Sequence, residues 1–230
     1  MILKPINSNN NLSENHWLIV GSSGSGKTTA VKQLGIVKAT DQVVLFDPYL
    51  DYDSLCNAEI RRYSSLAKFA KAVFSARAAK QARGFKIAFS PDSGATPESL
   101  VGFCKVVWGA GNGTHKKPLK VVMEELAKCL TTSGKANGAF GEILTGGRKF
   151  GLEAICIFQR GQEVPKTIVG NCPNKWVGRQ QRMNDAVYLS KELDFPVEAI
   201  KKLPRYHYLV KTNAHDIGKY DSGKLKKLAA

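Results

Sequence analysis

The chain has 230 residues with 43% hydrophobic content, enough for one sizeable core and too apolar for a disordered segment. Lys and Arg number 34 against 19 Asp and Glu, a net charge of +15 that favours a polyanionic partner over a neutral or acidic one. No run reaches the ~18 to 20 apolar residues of a membrane span, the first residues lack a signal-peptide core, and the 5 cysteines and 4 histidines are scattered without a C-x-x-C pair, which argues against a secreted disulfide scaffold and a Cys/His metal centre.

The expectation is one domain over 1–230 in a reducing cytosol, with a polar N-terminal segment over 1–15 and a basic tail over 212–230. Lys219, Lys224, Lys226 and Lys227 mark the tail as a solvated basic end rather than a folded element.

The apolar run Trp17–Val20 reads as a strand and is followed directly by Gly21-Ser22-Ser23-Gly24-Ser25-Gly26-Lys27-Thr28, a complete G-x-x-x-x-G-K-[ST] phosphate loop. Glycines let the backbone N–H groups wrap a triphosphate, Lys27 can reach the β- and γ-phosphates, and the Thr28 hydroxyl can bind Mg²⁺. Thr29 opens the helix that continues to Leu34 and completes the nucleotide-contacting set. ATP with Mg²⁺ is the cofactor expected.

Further short apolar runs follow at Val43–Phe46, Phe85–Phe89, Leu119–Met123, Ala154–Phe158, Lys175–Gly178 and Tyr206–Val210. Amphipathic helices are expected at Ser64–Lys80 and Glu98–Trp108, so the alternation predicts an α/β fold with parallel strands. Ligands bind beyond the carboxyl ends of such strands, and in chain order those ends carry the phosphate loop, Asp47-Pro48, Ser90-Pro91, Glu124-Glu125 and Gln159-Arg160. Adjacent carboxylates at a buried strand end are costly unless a cation or water uses them. Glu124 is therefore assigned to Mg²⁺ through water and Glu125 to polarising the attacking water, the alternative being an acid-rich helix start.

Gln159 is placed to bridge the γ-phosphate and that water, or is an ordinary strand-end glutamine. Arg148, on the connection Gly146–Gly151 into the same strand, is placed to reach a neighbouring subunit's nucleotide, or is one basic surface residue among 34. Asn174-Lys175-Trp176-Val177 lacks the Asp of a guanine-reading N-K-x-D, and paired glutamates with a glutamine suit attack by water better than a kinase acceptor.

In order, the phosphate loop, Val43-Val44-Leu45-Phe46-Asp47-Pro48, Val121-Val122-Met123-Glu124-Glu125, Gly147-Arg148-Lys149-Phe150-Gly151-Leu152 and Ile157-Phe158-Gln159-Arg160 resemble the FtsK–HerA superfamily of ring-forming DNA-pumping ATPases. Within it, the compact size is most similar to the genome-packaging ATPases of tailless internal-membrane viruses such as PRD1 and PM2. The resemblance implies a P-loop NTPase of RecA-like (ASCE) type, with extra strands on a mostly parallel central sheet flanked by helices on both faces. It further implies Glu125 as catalytic base, Gln159 as sensor and Arg148 as a finger acting in trans. Glu124 departs from the usual Asp, and the Asp47-Pro48 step lacks the basic and acidic residues that often follow it.

The function this implies is an ATP-hydrolysing translocase of double-stranded DNA, working as a homo-oligomeric ring in the host cytoplasm and with the virion, docked on a capsid vertex or membrane protein. The alternative is a nucleotide-gated remodelling ATPase that acts on such a protein without pumping DNA. Gly111–Lys117 and Thr131–Gly138, Gly-rich loops carrying Lys, are candidates for sequence-independent phosphate contacts, or are ordinary connections.

Overall fold

The structure is a computed structural model that describes residues 4–79, 82–130 and 134–227. Lys80 of the expected helix, Thr131, Thr132 and Ser133 of the second Gly-rich loop, and the last residues of the tail lie outside the described residues.

Eleven strands and eight α-helices follow the chain as β1 (Trp17–Val20), α1 (Lys27–Gln33), β2 (Gln42–Phe46), β3 (Ser54–Leu55), β4 (Ala58–Glu59), β5 (Arg61–Tyr63), α2 (Leu66–Ala78), β6 (Phe85–Phe89), α3 (Pro97–Gly109), β7 (Leu119–Met123), α4 (Leu126–Cys129), α5 (Gly138–Gly146), β8 (Leu152–Phe158), α6 (Lys166–Asn171), β9 (Asn174–Gly178), α7 (Met183–Leu193), α8 (Val197–Lys201), β10 (His207–Lys211) and β11 (Asp221–Lys224), counted among the described residues. Nine strands form one sheet in the order β11-β10-β9-β1-β8-β7-β2-β6-β5, and β3 and β4 form a separate hairpin. The sheet is parallel from β9 to β5 and antiparallel at β10 and β11.

Strand residues alternate between the two faces, and the core divides accordingly. Leu18, Val20, Val44, Phe46 and Val121 face α2 to α8, whereas Ile19, Val43, Leu45, Val122 and Ile155 face α1, Tyr52, Leu55 and Leu225. Helices thus flank both faces, as expected, but α1 shares the second face with the β3–β4 hairpin and the C-terminal segment. Four of the cysteines are buried and all are free.

The register fixes the working edge. Val20 lies beside Phe158, Met123 beside Cys156 and Phe46 beside Met123, so β1, β8, β7 and β2 end together.

The C-terminal segment departs from the expectation. The tail is a folded element where described: β11 pairs with β10, Leu225 is 2% exposed, and Gln33 exchanges amide hydrogen bonds with the Lys226 backbone at 2.8 and 3.0 Å. The polar N-terminal segment is ordered against the core, with Ile6 bridged to Asn112 and the Asn9 N–H donating to the Lys149 carbonyl.

Replacing Leu225 by Ala should destabilise the fold by about 2–5 kcal/mol in urea unfolding, the cost of emptying a buried leucine site. A change below about 0.5 kcal/mol would mean that the C-terminal strand frays independently of the core.

Candidate nucleotide site

The phosphate loop leaves β1 with Gly24 at φ 71° and Gly26 at φ 102°, backbone conformations that L side chains rarely adopt. Space enforces the same choice: a Cβ on Gly26 would stand 2.9 Å from Leu225 Cδ1 and 3.1 Å from Tyr206 Cδ1. The loop then runs straight into α1, whose first turn carries no acidic residue to oppose an anion.

Ser23, Gly24, Gly26, Lys27, Thr28 and Thr29 line a cleft of about 280 Å³ together with Asp51, Glu124, Glu125, Gln159 and Tyr206. Four separate strand ends therefore converge, because parallel strands in register deliver their C-terminal residues to one edge. Lys27 Nζ donates to the carbonyls of Gly21 at 2.8 Å and Ser22 at 3.3 Å. Burial lowers its pKa, while Glu124, Glu125 and Asp51 pull it back up.

Glu124 is 4% exposed and accepts a hydrogen bond from the Tyr52 hydroxyl at 2.7 Å. Burial pushes its carboxyl up to about 7; the Tyr52 hydrogen bond opposes the rise, Asp51 and Asp47 add to it, and Lys27 lowers it. Glu125 turns away into α4 with φ 53°, a strained value for a non-glycine residue. Its carboxylate accepts from Gln159 Nε2 at 2.8 Å and lies 3.6 Å from Lys128 Nζ. Both glutamates line the cleft, Glu124 buried and Glu125 partly exposed.

Mg²⁺ would be held by Thr28 and Glu124. The donor set fits: a hydroxyl and a buried carboxylate, both hard oxygen ligands, with Glu124 held protonated near neutrality unless a cation compensates its charge. Among the described residues no group of three or more His, Cys, Asp or Glu could hold a metal alone, so phosphate and water would complete the shell.

Arg148 does not join these groups. It sits in the 3-10 turn Gly147–Phe150 before β8, and β8 spans about 23 Å between it and Gln159. Its guanidinium donates to the carbonyls of Asn10 at 3.1 Å and Leu12 at 2.7 Å. The loop Gly111–Lys117 also lies at that far end and is clamped: the N-terminal segment crosses it, and Arg77 Nη1 donates to the Lys117 carbonyl at 2.9 Å. In the second Gly-rich loop, Lys135 is exposed.

Three residues in or directly behind the cleft escaped the sequence reading. Asp51 lies beside Lys27 and Glu125, which corrects the view that no acid follows Asp47-Pro48. Burial raises its pKa, and Asp47 and Glu125 raise it further. Tyr52 holds Glu124, and both residues were within reach had the strand-end rule been carried past Pro48. Tyr206, expected as the first residue of a strand, instead takes φ 64° and faces the cleft, a placement no local signal announces.

Comparison with known proteins adds the following. A family model described as the central domain of helicase HerA matches residues 5–128, a stretch holding the phosphate loop and both glutamates but not Arg148 or Gln159. Protein P9 of Pseudoalteromonas phage PM2 is 29% identical over 188 residues, 82% of this chain and 79% of that protein. The genome packaging NTPase B204 from Sulfolobus turreted icosahedral virus 2, solved in complex with AMPPCP, shares the fold with a TM-score of 0.70 over 94% of this chain and 99% of B204, at 15% identity. VirB4 of Thermoanaerobacter pseudethanolicus shares it with a TM-score of 0.65 over 93% of this chain and 90% of its own, at 11% identity.

The raised Glu124 pKa makes a signed prediction. The native carboxyl keeps its proton to about pH 7 whereas the unfolded one loses it near 4.5, so this stabilisation is complete below about pH 4.5 and is lost as pH rises through 7. In metal-free buffer the wild type should lose up to a few kcal/mol relative to Glu124→Gln across that window. Urea titrations at several pH values check it, and a constant difference would mean that Glu124 is already ionised in the fold.

Proposed function

Since the chain belongs to the HerA helicase central-domain family, we propose that it hydrolyses ATP to move double-stranded DNA, packaging a viral genome as a homo-oligomeric ring. The observation that carries this reading is the convergence of Lys27, Glu124, Glu125 and Gln159 on one cleft, with Glu125 and Gln159 bonded to each other at 2.8 Å. A binding module would have no use for a carboxylate poised beside a glutamine where the γ-phosphate would end.

When ATP enters, Lys27 exchanges the Gly21 and Ser22 carbonyls for the β- and γ-phosphates. A magnesium ion bound with the nucleotide would neutralise the charge developing on its phosphates. Thr28 and Glu124 would hold that ion, and Tyr52 keeps the Glu124 carboxylate in place. Gln159 leaves Glu125 for the γ-phosphate, which frees the Glu125 carboxylate to accept a proton from the attacking water. Contact with Gln159 thus ties the state of the base to the presence of the γ-phosphate.

Arg148 lies too far from its own cleft to serve it, and a ring offers the geometry in which it serves the next one. The likeness in fold to B204, which is named as a genome packaging NTPase, and the +15 charge support DNA as the substrate. The reading includes action in the host cytoplasm and docking on a capsid vertex or membrane protein; no helix among the described residues is long and apolar enough to cross a membrane.

Steady-state ATPase assays with and without duplex DNA at two salt concentrations test the function. Stimulation that weakens as salt rises is expected, and a rate indifferent to DNA would defeat the translocase reading.

Glu125→Gln should bind ATP yet lose about 10²–10⁴ in kcat. Arg148→Ala should bind ATP and lose about 10³–10⁵. Mixing the two variants should restore part of the rate, because some junctions regain both groups; no recovery would place Arg148 in a structural role.

A further inference from the structure

β5 is the outermost strand of the sheet, paired only with β6, and α2 runs beside it. Between them lies a groove of about 490 Å³, compared with about 280 Å³ for the nucleotide cleft. Arg61 and Tyr63, alternate residues of β5, lie on one side, Lys68 and Lys71 on the other, and the small residues Ala72 and Ala76 also line it. Among the described residues no carboxylate lines the groove, and Arg61, Lys68 and Lys71 form no ion pair.

The contrast with the strand's middle residue is informative. Arg62 points the other way and is fully engaged, donating to Asp47 at 2.7 Å, Ser90 at 2.8 Å and the Tyr52 carbonyl at 2.5 Å. The fold uses one cation of this short strand structurally and leaves its neighbour facing the groove with two lysines. Like charges gathered without a counter-charge repel, and a bound polyanion removes that cost.

We propose that this groove is a second anion site that takes the sugar–phosphate backbone of duplex DNA; the proposal rests on the translocase reading and names where the DNA is held. Lys68 and Lys71 stand one helical turn apart, about 5–6 Å between Cβ atoms, and phosphates recur every ~3.4 Å of axis along each strand, so both can meet phosphates without reading bases. The small side chains of Ala72 and Ala76 leave room for a backbone to approach closely. β5 stands five strands from β1, about 24 Å, so the groove is separate from the phosphate loop.

The groove nevertheless touches the nucleotide site through one short path. Arg62 bonds the Tyr52 carbonyl and Tyr52 bonds Glu124, so DNA seated on Arg61 and Tyr63 contacts the strand that orients the magnesium-side carboxylate.

Duplex binding across a salt series tests the site, using the wild type, an Arg61→Gln/Lys68→Gln/Lys71→Gln variant, and a Lys191→Gln/Lys202→Gln/Lys219→Gln control that removes equal charge from other exposed positions. The groove variant should flatten the slope of log K against log salt by about 2–3 and the control by less than about 1. ATP affinity monitors the fold of each variant. If the wild type binds DNA and the groove variant matches it or the control, the groove is overturned and the translocase reading stands. If the wild type shows no salt-dependent DNA binding, both fall. If the groove variant loses a poly-glutamate peptide but keeps the duplex, the occupant is an acidic polypeptide and the proposal fails.

Discussion

A carboxylate buried at Glu124 is the constraint around which the nucleotide site is arranged. Out of water its charge is costly, and the hydrogen-bonding side chain that answers it is Tyr52, which is itself fully buried. To bring Tyr52 there, the chain leaves β2 on an excursion that includes the β3–β4 hairpin before it returns as β5. Leu50, Cys56 and Asn57 on that excursion all have positive φ, strain of about 1–3 kcal/mol each that only an over-determined surrounding sustains. The Arg62–Asp47 ion pair and the Ser90 hydroxyl provide it, pinning the base of the excursion to the ends of β2 and β6. This excursion backs one side of the cleft, and Glu125 and Gln159, hydrogen-bonded to each other, line it from the neighbouring strand ends.

What the sequence disclosed and what it hid follow from how each element is held. The buried parallel strands were legible because both faces are covered, so their residues form short continuous apolar runs; β1, β6 and β7 appear with the bounds the runs suggest. β11, Asp221-Ser222-Gly223-Lys224, is held by backbone pairing with β10 and carries no hydrophobic pattern, so it looked like solvated tail. β5 and the β3–β4 hairpin were missed for the same reason. That the phosphate loop, Glu124, Glu125 and Gln159 share one cleft was legible because parallel strands in register deliver their ends to one edge. Asp51 and Tyr52 lie a few residues beyond the end of β2 and needed the strand-end rule carried further, whereas Tyr206 reaches the cleft only because distant segments meet.

The charge surplus also needs reinterpretation. Lys86 is 2% exposed and donates to the carbonyls of Lys38, Ala39 and Asp41; Arg77 is 8% exposed and donates to Gln42 and the carbonyls of Ala110 and Lys117. Both satisfy loop carbonyls at the end of the sheet away from the cleft. Part of the +15 therefore closes the fold and is unavailable to any polyanion, which makes the position of the unpaired cations more telling than their number.

The contact of Leu225 and Tyr206 with Gly26 has a bearing on how the molecule is made. The loop that grips phosphate is specified near the start of the chain, yet Leu225, whose side chain would stand 2.9 Å from a Cβ placed on Gly26, lies 199 residues later, counting from 26 to 225. Closing so long a loop is slow, because its entropy is lost before the contact rewards it. A growing polypeptide on the ribosome would thus display the motif long before it could seat a nucleotide firmly. The residues that crowd the loop's glycine therefore arrive late, long after the motif they cover has been made.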